Sequence, residues 1–473
     1  MSQTLVTRIF KNIGEIGLPT TSFAYLFKIS LVAKSMTFAP NWSYFQFTLP
    51  AKLKQVHKEA IYFSGFVILR NYVWLCYKTF VKVLRRVYLD NSATTPIDKE
   101  VLEAMMPYFC EDFGNASSIH FFGQRARAAV DRARHQVAEL INAHPAEIVF
   151  TSGGTEANNL AIRGFVEANQ QYGRHIITSQ IEHPAVKEVC IDLESRGYEV
   201  TYLPVCSDGI IRLEDLKEAV RNDTILVTIM AANNEIGTIQ PIEQIGNFIT
   251  ELRQRGQKIW FHTDAVQAVG KIPIDVEQIK CDLLSISAHK MYAPKGVGAL
   301  YIRRSVRIRR QNIGGHQERE RRGGTENVPG IVALGKACEI AKRDLPRSYF
   351  RLKSLRDKFE SQLKERIPDI VFNGSRENRL PHISNITFCG ALGEGLLINL
   401  DMHGIAVSTG SACSSGRVEP SPVLLALGRS ETEARESLRF SFGKFNTEED
   451  VDYVLEILPE AVKSLRHAAS LYK

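Results

Sequence analysis

From residue 147 onward, short apolar runs alternate with amphipathic stretches. Residues 147–151 read as a strand, Ser152-Gly153-Gly154-Thr155 as a turn and 156–166 as a helix. Further strands are predicted at 175–179, 199–203, 224–230, 258–263, 282–287 and 297–302, with helical stretches between most of them. That alternation predicts an α/β fold with a mostly parallel sheet covered on both faces. In such sheets a ligand site lies beyond the carboxyl ends of the strands. Past about residue 345 the texture changes. A charged helix is expected at 348–366, strands at 383–388 and 438–442, and a closing helix at 448–470. The division expected is a large domain over 87–345, in which 87–100 pack with the small domain, and a smaller α+β domain over 346–473.

Residues 1–86 break the pattern. They are rich in aromatic residues and hold 8 Lys and 4 Arg against only Glu15 and Glu59, a net of +10. The chain of 473 residues has a formal net charge of +7, so everything after residue 86 amounts to −3. That body gives no reason to invoke nucleic acid, and the basic cluster at 303–310 reads as a solvated edge or partner surface. An apolar run at 60–69 is interrupted by Arg70 and Asn71, short of the ~20 apolar residues a spanning helix requires. No signal-peptide layout opens the chain. Three readings remain for 1–86: a transit peptide, a basic segment drawn to an anionic membrane surface, or upstream sequence translated from a misplaced start. The last is favoured because the body begins abruptly at Val87-Tyr88-Leu89-Asp90. Hydrophobic residues at 44% and charged residues at 23% suit a soluble globular enzyme. Eight cysteines without a Cys-x-x-Cys pair argue against a structural metal site and for a reducing compartment. The expected location is the cytoplasm, or a mitochondrion if 1–86 are a transit peptide.

Candidate chemistry gathers at predicted strand ends. Lys290 follows the apolar run 281–286 within Ser287-Ala288-His289-Lys290, and Asp264 closes another run at 259–263. A lysine there can form a Schiff base with an aldehyde, Ser287 and His289 can bond a phosphate, and the aspartate can pair with a protonated pyridine nitrogen. These are the minimum parts of a pyridoxal phosphate enzyme. The same residues read equally well as a strand-end lysine and a capping aspartate. Gly154 and Thr155 open a helix whose free N–H groups favour a phosphate. His183 suits stacking on a cofactor ring or a structural role, and Asn234 a polar turn. Arg439 suits a forked bond to a substrate carboxylate or a structural ion pair. Thr155, Asn234, Asp264, Gln267 and Lys290 all fall at or just after strand ends, and this convergence outweighs any one of them.

Taken together, the chain resembles the NifS/IscS family of cysteine desulfurases from Tyr88 to about Leu465. The motifs that carry the likeness are Tyr88-Leu89-Asp90-Asn91-Ser92-Ala93-Thr94-Thr95-Pro96, Phe113-Gly114-Asn115, Thr151-Ser152-Gly153-Gly154-Thr155-Glu156 and Glu182-His183. They continue through Asn233-Asn234-Glu235-Ile236-Gly237, Asp264-Ala265-Val266-Gln267, Ser287-Ala288-His289-Lys290, Arg322-Gly323-Gly324-Thr325-Glu326-Asn327 and Ser411-Ala412-Cys413. The resemblance implies a pyridoxal-phosphate-dependent transferase of fold type I. It implies that Lys290 holds the cofactor and acts as base, Asp264 pairs with the ring nitrogen, Gln267 bonds the ring hydroxyl and His183 stacks on the ring. Gly154, Thr155, Ser287 and His289 would hold the phosphate, with Thr325 supplied by the second subunit of a homodimer. Asn115, Asn234 and Arg439 would fix the carboxylate of L-cysteine.

Cys413 lies in a run of small residues, 408–416, that cannot pack a core and is expected to form a mobile loop. A thiolate there can take the substrate sulfur as a persulfide and deliver it, leaving alanine. The loop resembles that of the family's first group, whose sulfur serves iron–sulfur cluster assembly or tRNA thiolation. No permanent metal is implied, although Cys413 is expected to be able to ligate a cluster briefly on a scaffold partner. Ala116 and Pro422 depart from the family's usual proline and histidine without removing a catalytic group. The rival readings are a selenocysteine lyase, another pyridoxal-phosphate aminotransferase or lyase, and a non-catalytic scaffold, which would require an essential group to be missing.

Overall fold

The computed structural model describes residues 85–409 and 419–471. Residues 1–84 and Cys413, with what is expected of them, lie outside the described residues.

The strands in chain order are β1 (Val87–Tyr88), β2 (Ile148–Thr151), β3 (His175–Ser179), β4 (Glu199–Leu203), β5 (Thr224–Thr228), β6 (Trp260–Asp264), β7 (Leu283–Ser287), β8 (Gly298–Ile302), β9 (Ile370–Asn373), β10 (Ile383–Phe388), β11 (Ile405–Ala406) and β12 (Ser437–Ser441). Seven of them form one sheet in the order β2-β8-β7-β6-β5-β3-β4. β8 alone runs against its neighbours, pairing antiparallel with both β2 and β7, whereas the other pairs are parallel. The chain explains the exception. A parallel return needs a crossover of a dozen or more residues, and β7 and β8 are joined by the short segment 288–297. That segment carries Lys290 and lies at the carboxyl end of β7, where an α/β sheet keeps its ligands.

All residues of β2, β3, β5, β7 and β8 are buried, as expected of strands covered on both faces. One face packs on the helix Gly154–Asn169 through Leu160, Ala161 and Phe165; the other packs on the helices Phe121–Leu140 and Ile242–Gln254.

The charged helix expected from 348 begins twenty residues earlier and runs Val328–Arg366, so the expected division at 345/346 falls inside it. Its first part buries Ala333, Leu334 and Ala337 against the sheet, and its opening residues 328–335 carry no charge of the kind that makes the second half legible. Pro346 interrupts the helix and removes one N–H from its ladder without ending it. The second half joins another core, in which Phe359 meets Phe440 at 4.9 Å and Phe442 at 5.5 Å between ring centroids. That core includes the antiparallel sheet β12-β10-β9 and the helix Glu448–Leu471. β9 was not anticipated. Its residues are mostly half-buried at a sheet edge and give only a weak apolar run.

Val87 and Leu89 also pack in this second core, and β1 pairs in parallel with β11. The next residues then pass to the first sheet, where Thr95 bonds His289. Residues 87–95 are therefore stitched to both parts. Among the described residues no helix is long and apolar enough to cross a membrane.

Candidate active site

After β7 the chain makes one tight turn, Ala288–Lys290. The Lys290 Nζ donates to the carbonyls of Ser92 at 2.6 Å and Ala93 at 2.7 Å. Gln267 Nε2 donates to the same Ser92 carbonyl at 3.0 Å. Thr95 donates from both its backbone N and its Oγ1 to the carbonyl of His289, and His289 Nδ1 meets Thr94 Oγ1 at 3.1 Å. Burial and the neighbouring lysines 290 and 295 push the His289 imidazole down to about 4, so it is neutral at physiological pH. Tyr292 completes the turn at φ 63°, a left-handed conformation rare for a bulky residue. It is held by Thr95 Oγ1, which accepts from its N at 2.8 Å, and by the N–H of Asp98, which donates to its carbonyl at 2.9 Å. Its ring lies 4.6 Å from the buried Lys271 Nζ. Three side chains, Gln267, His289 and Lys290, thus converge on residues 92–95, far from them in sequence.

Asp264 is the last residue of β6, 6% exposed. Its Oδ1 accepts from the Val266 N–H at 3.0 Å and its Oδ2 from Asn158 Nδ2 at 2.7 Å. His183 caps the helix Pro184–Ser195, its Nδ1 accepting from Ala185 N at 3.1 Å. Nδ1 is therefore the acceptor nitrogen, and in the neutral ring the proton sits on Nε2. Burial lowers the His183 pKa, Asp264 opposes that shift and Lys290 adds to it, so the imidazole feels both charged groups.

Glu182, next to His183, is buried with Oε1 accepting from Ser179 Oγ at 2.7 Å and from Met230 N at 2.9 Å, while Oε2 has no partner. Burial pushes its carboxyl from 4.5 up to about 8. A group whose pKa is raised by folding contributes stability that is complete below its unfolded pKa and lost as the pH rises through its folded one. The window here runs from about 4.5 to about 8. Over it the parent protein should lose up to roughly 5 kcal/mol from this group. Glu182→Gln, which keeps the oxygen acceptor but cannot ionise, should flatten that part of the decline in thermal melts at pH 5 to 9. Equal declines in parent and variant would contradict it.

The helix Gly154–Asn169 starts after Gly153 without a side-chain cap, leaving its first N–H groups for an anion. A Cβ on Gly154 would stand 2.9 Å from Val266 Cγ2 and 3.4 Å from Ser287 Cβ, so only glycine lets helix, β6 loop and β7 end close up. Glu156 holds Arg322 Nε at 2.8 Å, which brings the segment 322–327 to this helix start. Thr325 is exposed on that segment.

Arg439 on β12 is 3% exposed. Its Nη1 donates to the Asn234 carbonyl at 2.9 Å and its Nη2 to Asp90 Oδ1 at 2.7 Å, leaving Nε without a partner. The backbones of Arg439 and Ser408 exchange both hydrogen bonds, which fixes where the segment bearing Cys413 departs. Asn234 lies beside Arg439 through its main chain. Asn115 is exposed, and its Oδ1 is taken by the Ser117 N–H at 2.9 Å; nothing joins it to Arg439. Pro422 opens the helix Pro422–Ala426 at its first position behind a Ser421 cap, where a proline fits without cost.

Sequence reasoning missed Asn158, Glu182, Asp90 and the carbonyls of Ser92 and Ala93. Asn158 could have been found, since it lies one helical turn after Gly154 and shares its face. The carbonyls could not, because main-chain acceptors leave no mark in the residue types. As a set, the residues fit pyridoxal phosphate: an uncapped helix start closed by a required glycine, a lysine amine, and a buried carboxylate that only accepts.

A family model for aminotransferase class-V matches residues 87–454. The chain is 51% identical to a cysteine desulfurase IscS of Dictyoglomus turgidum over 382 residues, 81% of this chain and 96% of that protein. It is 52% identical over 388 residues to one from Methanosarcina thermophila, covering 82% and 94%. Among solved structures, a NifS-like protein superposes with a TM-score of 0.75 at 40% identity over 80% of this chain and all of that one. SspA in complex with cysteine does so with a TM-score of 0.67 at 39% identity, covering 76% and 100%.

Proposed function

The chain belongs to the aminotransferase class-V family and is a cysteine desulfurase of the NifS/IscS type, and we propose that it takes sulfur from L-cysteine at the Lys290 site and passes it on through Cys413. The observation that carries this reading is the convergence of Lys290, Gln267 and His289 on residues 92–95, beside an accept-only Asp264. When bound, pyridoxal phosphate supplies an electron sink that labilises bonds at the substrate α- and β-carbons.

The chain's own residues do the rest. The uncapped helix start at Gly154 and Thr155, with Ser287 and His289, would take the phosphate. Asp264 would pair with the ring nitrogen, Gln267 would bond the ring hydroxyl, and His183 would stack on the ring. Lys290 would anchor the cofactor and carry protons at the substrate. Its ammonium has a ready rest on the Ser92 and Ala93 carbonyls. Arg439, steadied by Asp90, would bind the substrate carboxylate together with Asn234 and Asn115. Arg439→Lys should raise KM for L-cysteine about 10–100-fold with a smaller change in kcat, because a point charge cannot replace a fork. An unchanged KM would remove Arg439 from the substrate site.

We read 87–345 as the cofactor-holding part and 346–473 as the part bearing the Cys413 loop. Phe109, Phe113, Ile119, Phe121 and Phe122 stand 44–92% exposed near one another in sequence, an apolar surface suited to a second copy of the chain. Thr325 would then complete the phosphate site of the partner. The sulfur goes on to an iron–sulfur scaffold or another acceptor protein, with no direct role for nucleic acid.

The test is absorbance of the purified protein before and after L-cysteine, with sulfide and alanine assayed under a reductant. A visible band that shifts, with equal sulfide and alanine, is the expected result. A band without sulfide would mean another reaction of the same family.

A further inference from the structure

We propose that Asn158 is a positioning residue for the reaction, holding the Asp264 carboxylate in the orientation in which it meets the cofactor ring. The inference rests on the reading of the Lys290 site as a pyridoxal phosphate site. Asn158 lies in the helix Gly154–Asn169, one turn beyond Gly154, and is 1% exposed. Its Nδ2 donates to Asp264 Oδ2 at 2.7 Å, a short contact of the kind made to a charged acceptor. Its Oδ1 is buried and has no partner. The amide is therefore oriented by Asp264 alone.

That orientation has one chemical reading. Val266 N–H donates to the other carboxylate oxygen at 3.0 Å, so both oxygens of Asp264 receive donors. A carboxylate that only accepts calls for the NH2 side of Asn158, and the buried orphan oxygen is the consequence of serving it. The same helix supplies a contrast: Asn169, also buried, donates from Nδ2 to the main-chain carbonyls of Phe165 and Arg307 and bonds no candidate residue.

The link to the site is mechanical as well. The helix that carries Asn158 also begins at the predicted phosphate position, and Gly154 presses on Val266 and Ser287. One rigid element would thus set phosphate and ring nitrogen at a fixed separation, the first through its N-terminus and the second through Asn158 and Asp264.

The experiment compares Asn158→Leu with Asn169→Leu in the full chain. Both remove a buried amide from the same helix, so both should lower the melting temperature. Two further readouts separate them: the affinity of the apoprotein for pyridoxal phosphate by fluorescence titration, and the pH midpoint of the resting visible absorbance. Asn158→Leu should weaken cofactor affinity about tenfold or more, the scale of a lost hydrogen bond to a charged group, and move the midpoint. Asn169→Leu should leave both at the parent's values. If Asn158→Leu binds the cofactor as the parent does with the same midpoint, or if both variants change alike, the positioning role is overturned. A parent protein that takes up no pyridoxal phosphate would overturn the site reading along with it.

Discussion

Replacing Lys290 by alanine is expected to lower alanine production from L-cysteine by about a thousandfold to ten-thousandfold and to abolish the visible band of the resting protein. Two losses combine. The covalent anchor disappears, and so does the amine on the Ser92 and Ala93 carbonyls to which a proton can be handed. Removing a general acid or base alone costs about a hundredfold to ten-thousandfold. The fold should survive, since the turn is held by Thr95, Asp98 and Tyr292 and not by the Lys290 side chain. Steady-state rates and thermal melts check both halves. A fall in rate below tenfold would remove Lys290 from the chemistry.

Cys413→Ala should reduce sulfide release by a comparable factor while leaving the visible band and its response to L-cysteine in place. The two variants therefore fail differently, one before the substrate engages and one after. The three buried described thiols cannot substitute. Burial pushes the Cys190 thiol up to about 12 and those of Cys281 and Cys338 higher still, so none supplies a thiolate. Cys110 and Cys206 are exposed, and alanine at either should leave turnover unchanged. Sulfide released at the parent rate from Cys413→Ala would show that the sulfur leaves by another route.

Much of this was legible in the residues. The strands of the large sheet were found to within two residues because β-branched runs buried on both faces stand out against amphipathic helices. The placement of Asp264, Gln267 and Lys290 at or just after strand ends followed from the same pattern. The early start of the helix Val328–Arg366 was not legible, since its opening residues 328–335 are small or apolar without charge and look like core of any kind. β9 was lost because an edge strand of four residues carries little alternation. At the site, side chains with distinctive chemistry announced themselves, while their supports did not. Asp90 steadies Arg439, and Ser92 and Ala93 receive Lys290 through carbonyls that any residue would provide. Asn115 is held by a local support of the same kind, its oxygen accepting from the Ser117 N–H.

The most direct test of sulfur passing through Cys413 is mass spectrometry of the protein after brief exposure to L-cysteine without reductant, followed by proteolysis. One additional sulfur atom on the peptide containing Cys413, absent in Lys290→Ala, is the predicted result. Full turnover with that peptide unmodified, or the extra sulfur on Cys110 or Cys206 instead, would contradict it.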